Sequence, residues 1–135
     1  MIKLIIGLKG TGKTKQMIEL VNEAVARSKG SVVCIERNDK LRYDIKYQCR
    51  LIPAKEYLIS DAASLYGFVS GIYASNHDIT DIFIDSALRI SGDDKAAFDV
   101  FLEKTDSFAK VHDINVVITS TIDESDATET MKKYI

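Results

Sequence analysis

Proline is nearly missing from this sequence, with Pro53 its only instance; tryptophan is absent and cysteine occurs twice in 135 residues. One proline leaves no Pro-rich spacer, and no low-complexity tract or internal repeat marks a boundary at which to divide the chain. Cys34 and Cys49 are too few for a disulfide framework or a four-ligand zinc site, and Cys34 sits in an apolar run that suits a reduced, buried thiol. No apolar run approaches the ~18 residues of a membrane span. Ile2 to Ile6, directly after Met1, is too short for the apolar region of a signal peptide and lacks a charged segment before it, so a cytoplasmic protein without membrane insertion is expected. The net charge is only −2 and no dense basic block occurs, which leaves room for a local basic face but makes nucleic acid an unexpected partner.

What is present is ordinary globular material, 46% apolar and 28% charged. A chain of this length can bury roughly two thirds of its unfolded surface, so residues 1–135 read as one domain.

Ile2 to Ile6 is almost wholly apolar, as a parallel strand covered on both faces must be. After the glycine-rich turn at Gly7, Met17, Ile18, Val21, Ala24 and Val25 recur at three- and four-residue steps. They predict a helix from about Gly12 to Lys29, with Gly30 as its C-terminal cap. Ser31 to Ile35 reads as a second buried strand. Leu41, Tyr43, Ile45, Tyr47, Cys49 and Leu51 alternate with polar residues, which predicts a half-exposed strand over Tyr43 to Leu51. Ser60 or Asp61 can cap a helix through about Ser75, in which Gly67 and Gly71 are expected to allow close packing. Asp81 to Asp85 is the third core strand, with Asp81 expected as a solvated turn acid. A helix capped near Ser91 carries Phe98, Phe101, Leu102 and Phe108. Ile114 to Thr119 is the fourth core strand, and a short helix starts near Asp126. Strands alternating with helices predict an α/β fold with a mainly parallel sheet.

Gly7-Leu8-Lys9-Gly10-Thr11-Gly12-Lys13-Thr14 fits G-x-x-x-x-G-K-[ST] at every fixed position, between a buried strand and a helix. Glycines there let backbone N–H groups of Gly7, Lys9, Gly10, Thr11 and Gly12 wrap a polyphosphate at a helix N-terminus, where amides and dipole favour anions. Lys13 would reach the β- and γ-phosphates and the Thr14 hydroxyl would ligate Mg²⁺. Asp85, after three apolar strand residues, arrives at the sheet edge where ligands of open α/β folds sit, and can orient a water on the same metal. The plainer alternative is a turn acid facing Ser86. Thr119 ends the fourth strand in a Thr-Ser-Thr run that can hold a γ-phosphate or the attacking water, or simply satisfy turn backbone.

These features resemble the P-loop nucleoside triphosphatases, particularly the RecA-like branch with an additional strand between its two Walker strands. Small bacterial P-loop proteins carrying the label of twitching-motility ATPase are also similar. The resemblance covers nearly the whole chain. It implies a three-layer αβα sandwich of core strand order 1-4-3-2, bound Mg-ATP, and catalytic roles at Lys13 and Asp85. It also implies that an uncovered sheet edge must be covered or paired. Many relatives place Glu directly after the Walker B Asp, whereas Ser86 and Ala87 follow here. Glu36, at the exit of strand two, is the candidate to position water in its stead; otherwise it is an exposed acid paired with Arg37. Arg37, Arg42, Arg50 and Arg89 are candidate charge-stabilising arginines.

The expected function is a slow ATPase whose nucleotide state controls self-association or a protein partner. The alternatives are a non-hydrolysing ATP-sensing module and a small-molecule kinase, the latter disfavoured by the acidic, arginine-free segment after Thr121. His77 and His112 read as a loop residue and a helix end. Tyr43, Tyr47, Tyr57, Tyr66 and Tyr73 read as packing or surface residues.

Overall fold

Runs of apolar residues cannot remain in water, and here they form five parallel strands that are covered on both faces. The computed structural model describes residues 1–135. Strand β1 is Ile2–Gly7, β2 Ser31–Glu36, β3 Arg50–Pro53, β4 Ile79–Ile84 and β5 Asn115–Thr121, in the order β1-β5-β4-β2-β3. Every pairing in the sheet is parallel.

The period of two along each strand assigns side chains to two separate cores. Val33, Ile35, Ile82, Ile84, Val116 and Ile118 face the larger one, a cluster of 24 buried residues. Val32, Cys34 and Phe83 face a smaller cluster of 9. Helix α1, Lys13–Arg27, covers the smaller core with Met17, Val21 and Ala24, a spacing of four and three that keeps them on one stripe. Helices α2, Ala62–Ser75, and α4, Lys95–His112, cover the larger one through Leu65 and Val69, and through Phe98, Phe101 and Leu102. A short α3, Ala87–Ile90, follows β4, and α5, Glu129–Lys132, closes the chain. No helix is long and apolar enough to cross a membrane.

Tyr43 to Cys49 is not a strand; only Arg50–Pro53 pairs with β2. Leu41, Ile45 and Cys49 are buried, but the tyrosines between them are exposed at 90% and 91%. Ile45 N donates to Leu41 O at 3.1 Å and Cys49 N to Lys46 O at 3.0 Å, so the segment coils in turns whose every fourth residue points inward. A period of four was thus hidden inside a period of two. Gly30 does not cap α1 in a left-handed conformation; Ser28 holds the cap position in extended backbone. Gly30 is required instead because a Cβ would lie 1.9 Å from the Asp78 carbonyl oxygen. Gly67 and Gly71 have open space where a Cβ would stand, so they permit no close packing.

Helix α4 is capped by Asp94 and not Ser91; Asp94 Oδ1 accepts from Ala97 N at 3.1 Å, while the Ser91 hydroxyl donates to Ala87 O within α3. Asp61 caps α2 as expected, in a reciprocal pair with Ser64. Asp81 is no solvated acid: β4 starts two residues before it, leaving it 1% exposed, 2.9 Å from the Arg27 guanidinium. The free side of β1 is partly covered, since Leu4 N donates to Tyr134 O at 2.7 Å. The opposite edge, β3, is four residues long and ends in Pro53, which limits further pairing.

Candidate functional site

Parallel strands end together, so the turns after β1, β2 and β4 and the end of β5 meet at one edge of the sheet. They enclose a cleft of about 610 Å³ lined by 16 residues, of which one, Leu41, is hydrophobic. Six lining residues are cationic, Lys9, Lys13, Lys15, Arg37, Lys40 and Arg89, and two are acidic, Glu36 and Asp85. A chain of net charge −2 therefore gathers a local excess of four positive charges at this edge, a field that favours anions.

The loop between β1 and α1 forms one wall. Gly10 and Gly12 both adopt φ of 86°, which side-chain-bearing residues rarely take. Gly12 occupies the N-cap of α1 without a side-chain cap, and no acidic residue stands in the first turn, so the amides and the positive dipole end are left to a ligand. Thr11 Oγ1 donates to Leu8 O at 2.7 Å and Lys13 Nζ to the same oxygen at 2.9 Å, tightening the loop. Partial burial lowers the Lys13 pKa, with Asp85 pulling it back up. Of the expected loop residues, Lys9, Gly10, Gly12, Lys13 and Thr14 line the cleft. Gly7 and Thr11 stand behind it: a Cβ on Gly7 would lie 2.5 Å from Thr11 Oγ1.

Asp85 leaves β4 with its amide still bonded to Ile35 O at 2.8 Å. The pairing of Ile84 with Ile118 places Thr119 beside it. The Thr119 hydroxyl donates to Asp85 Oδ1 at 2.6 Å and accepts from Ser86 N at 2.9 Å. Ser86 itself takes a left-handed conformation, φ 60°. In this arrangement Thr119, 1% exposed, fixes the orientation of the Asp85 carboxylate and satisfies the Ser86 amide of the turn. Ser120 continues the tie, its hydroxyl accepting from Leu88 N at 3.3 Å. Removing the bridge in Thr119→Val leaves a carboxylate oxygen and a backbone amide short of partners, and a loss of about 1–3 kcal/mol is expected in urea unfolding. Thr119→Ser should retain most of that stability; equal losses in both variants would show that the methyl packing, not the hydroxyl, matters.

Glu36 is neither exposed nor paired with Arg37. It is 3% exposed, and its two oxygens accept from Lys40 N at 2.8 Å and Leu41 N at 3.3 Å. Burial raises its pKa above the ordinary carboxylate value, against the two backbone hydrogen bonds that lower it. That direction suits a proton acceptor better than an ordinary surface glutamate does. Of the four candidate arginines, Arg37 and Arg89 line the cleft. Arg42 pairs with Asp39 at 2.6 Å, and Arg50 lines a separate cavity beside β3.

Asn38, Lys40 and Leu41 form a wall that no motif in the sequence marks, because only the turn folding back on Glu36 brings them to the cleft. No family model matches the sequence, and no match is found among curated proteins.

The oxygen donors at the cleft, the Thr14 hydroxyl and the Asp85 carboxylate, suit a hard cation. No group of three or more His, Cys, Asp or Glu side chains could hold a metal ion alone. Mg²⁺ keeps several waters and takes phosphate oxygens as ligands, so a hydroxyl and one carboxylate are the kind of donors a protein would lend it.

Proposed function

We propose that the chain is a P-loop protein that binds Mg-ATP and hydrolyses it slowly, with the nucleotide state controlling self-association or a protein partner. The observation that carries this reading is the cleft itself: a glycine loop with an uncapped helix N-terminus, Lys13, Thr14 and a braced Asp85 at one edge of a parallel sheet. The sheet order, with β5 between β1 and β4, supports the RecA-like branch.

In this reading the loop amides and Lys13 hold the phosphates, and Thr14 with Asp85 would hold Mg²⁺, which neutralises charge on the phosphate oxygens. Glu36 accepts a proton from the attacking water, and Arg37 and Arg89 face the charge that develops during transfer. The partner surface is supported by the turn Asn38 to Cys49. Its first residues line the cleft and are pinned by Glu36, and it carries the exposed Tyr43 and Tyr47.

Steady-state hydrolysis across pH and protein concentration tests the reading. With Arg37 and Arg89 supplied by the same chain, turnover per chain should stay constant as protein concentration rises. Because the base must be deprotonated, turnover should fall as pH drops through the raised Glu36 pKa, and Glu36→Gln should lower turnover ~10²-fold or more while ATP binding persists. A turnover that climbs with concentration would assign the stabilising charge to a second copy. ATP binding without turnover at any concentration would leave a nucleotide-gated module.

A further inference from the structure

A second cavity, of about 420 Å³, opens at the same edge of the sheet, where the turns after β2, β3 and β4 meet. Its size falls within the usual range for small-molecule sites. The floor is apolar, with Ala54 and Ile90 buried and Ile59 half-buried. The rim carries Arg37, Lys55 and Arg89, and neither aspartate nor glutamate lines it. None of these three cations forms an ion pair within the chain.

The two rim segments are fixed to each other: Lys55 N donates to Arg37 O at 3.2 Å, joining the turn after β2 to the 3₁₀ helix Ala54–Tyr57. Three exposed cations around a concave apolar floor, with no acidic residue in the lining, match a ligand with an anionic head and an apolar body. Two of the three are guanidiniums, which pair with phosphate or carboxylate through parallel hydrogen bonds. Arg37, Asn38 and Arg89 also line the larger cleft, whereas Lys55 and Ile59 belong to this cavity alone.

We propose that this cavity is a second binding site, for a small molecule that joins a phosphate or carboxylate group to an apolar body. Arg37, Lys55 and Arg89 hold the charged group, and Ala54, Ile59 and Ile90 receive the rest. The site shares Arg37 and Arg89 with the nucleotide cleft, and Lys55, Ile59 and Ile90, which line this cavity and not that cleft, distinguish its occupancy from nucleotide binding.

Amide chemical shifts in the full chain test it, with phenyl phosphate, benzoate and uncharged phenol as probes. The experiment is run in the native chain and in Lys13→Ala, which weakens anion capture by the glycine loop. Phenyl phosphate or benzoate should shift the amides of Lys55, Ile59 and Ile90 in both proteins, and phenol should bind at least about tenfold more weakly. Lys55→Ala should weaken the anionic probes about fivefold or more while leaving any Mg-ATP stabilisation unchanged. Which anion binds more tightly identifies the head group. Shifts confined to Gly7–Thr14, equal binding of phenol and the anions, or no shift at these residues would each overturn the proposal. Mg-ATP binding is read separately by thermal stabilisation, so failure of one reading leaves the other standing.

Discussion

Mg-ATP at a hundred times its dissociation constant is expected to stabilise the native chain by ~2.7 kcal/mol, and Lys13→Ala to abolish most of that gain. For a domain of this size the native shift corresponds to a rise in Tm on the order of 10 °C. The variant is informative because Lys13 reaches only the Leu8 carbonyl within the chain, an exposed contact whose loss costs the fold little. Thermal unfolding with and without Mg-ATP therefore separates ligand binding from folding. A native Tm that does not move at millimolar nucleotide would remove the basis of the P-loop reading. An unchanged shift in Lys13→Ala would move the phosphates away from this loop.

Asp85→Asn is expected to erase the metal dependence of nucleotide affinity while preserving the fold. The asparagine carbonyl can still accept from the Thr119 hydroxyl, so the bridge between β4 and β5 survives. What disappears is the negative charge available to Mg²⁺ and its water. In the native protein Mg²⁺ should tighten ATP binding by about tenfold or more, equivalent to ~1.4 kcal/mol, and in Asp85→Asn by less than about threefold. Calorimetric titration with magnesium and with a chelator measures both. Equal metal dependence in the two proteins would reduce Asp85 to a turn acid braced by Thr119.

The two variants probe two residues of one cleft that differ in how far the sequence marks their surroundings. Lys13 stands at a fixed spacing in a loop whose geometry is local: the strand before it, the glycines and the helix after it are neighbours in the chain. Asp85 could be read from three apolar residues and an acid. The hydroxyl that aims it could not, because Thr119 lies 34 residues further on and meets Asp85 only through the pairing of β4 with β5. The same holds for Arg37 and Arg89, two of four candidates that nothing in their spacing distinguishes. The turn after β2 brings one to the cleft and α3 the other.

Burial of charged groups shows the same division. Asp81 and Glu36 sit at opposite ends of apolar strands; Asp81 reads as a solvated turn acid and Glu36 as either a water-positioning acid or an exposed one paired with Arg37. Asp81 is buried because β4 begins two residues earlier, and Arg27 from the end of α1 neutralises it. Glu36 is buried because the following turn folds back and supplies two amide donors. In each case the partner belongs to a different element or a returning loop, and a desolvated carboxylate is tolerable only once that partner is present.

The elements whose physics is local are written in the sequence: the apolar runs that became β1, β2, β4 and β5, the stripes of α1, α2 and α4, the Asp61 cap and the glycine loop. Tertiary structure alone decided which residues share the cleft, that Tyr43 to Cys49 coils instead of pairing, that Gly30 serves a close approach to Asp78, and that three cations surround a second cavity. Periodicity and capping act over one or two turns of chain and are written in adjacent residues. Burial, charge neutralisation and the shape of a cavity depend on distances between segments far apart in sequence, which are set only when the sheet assembles.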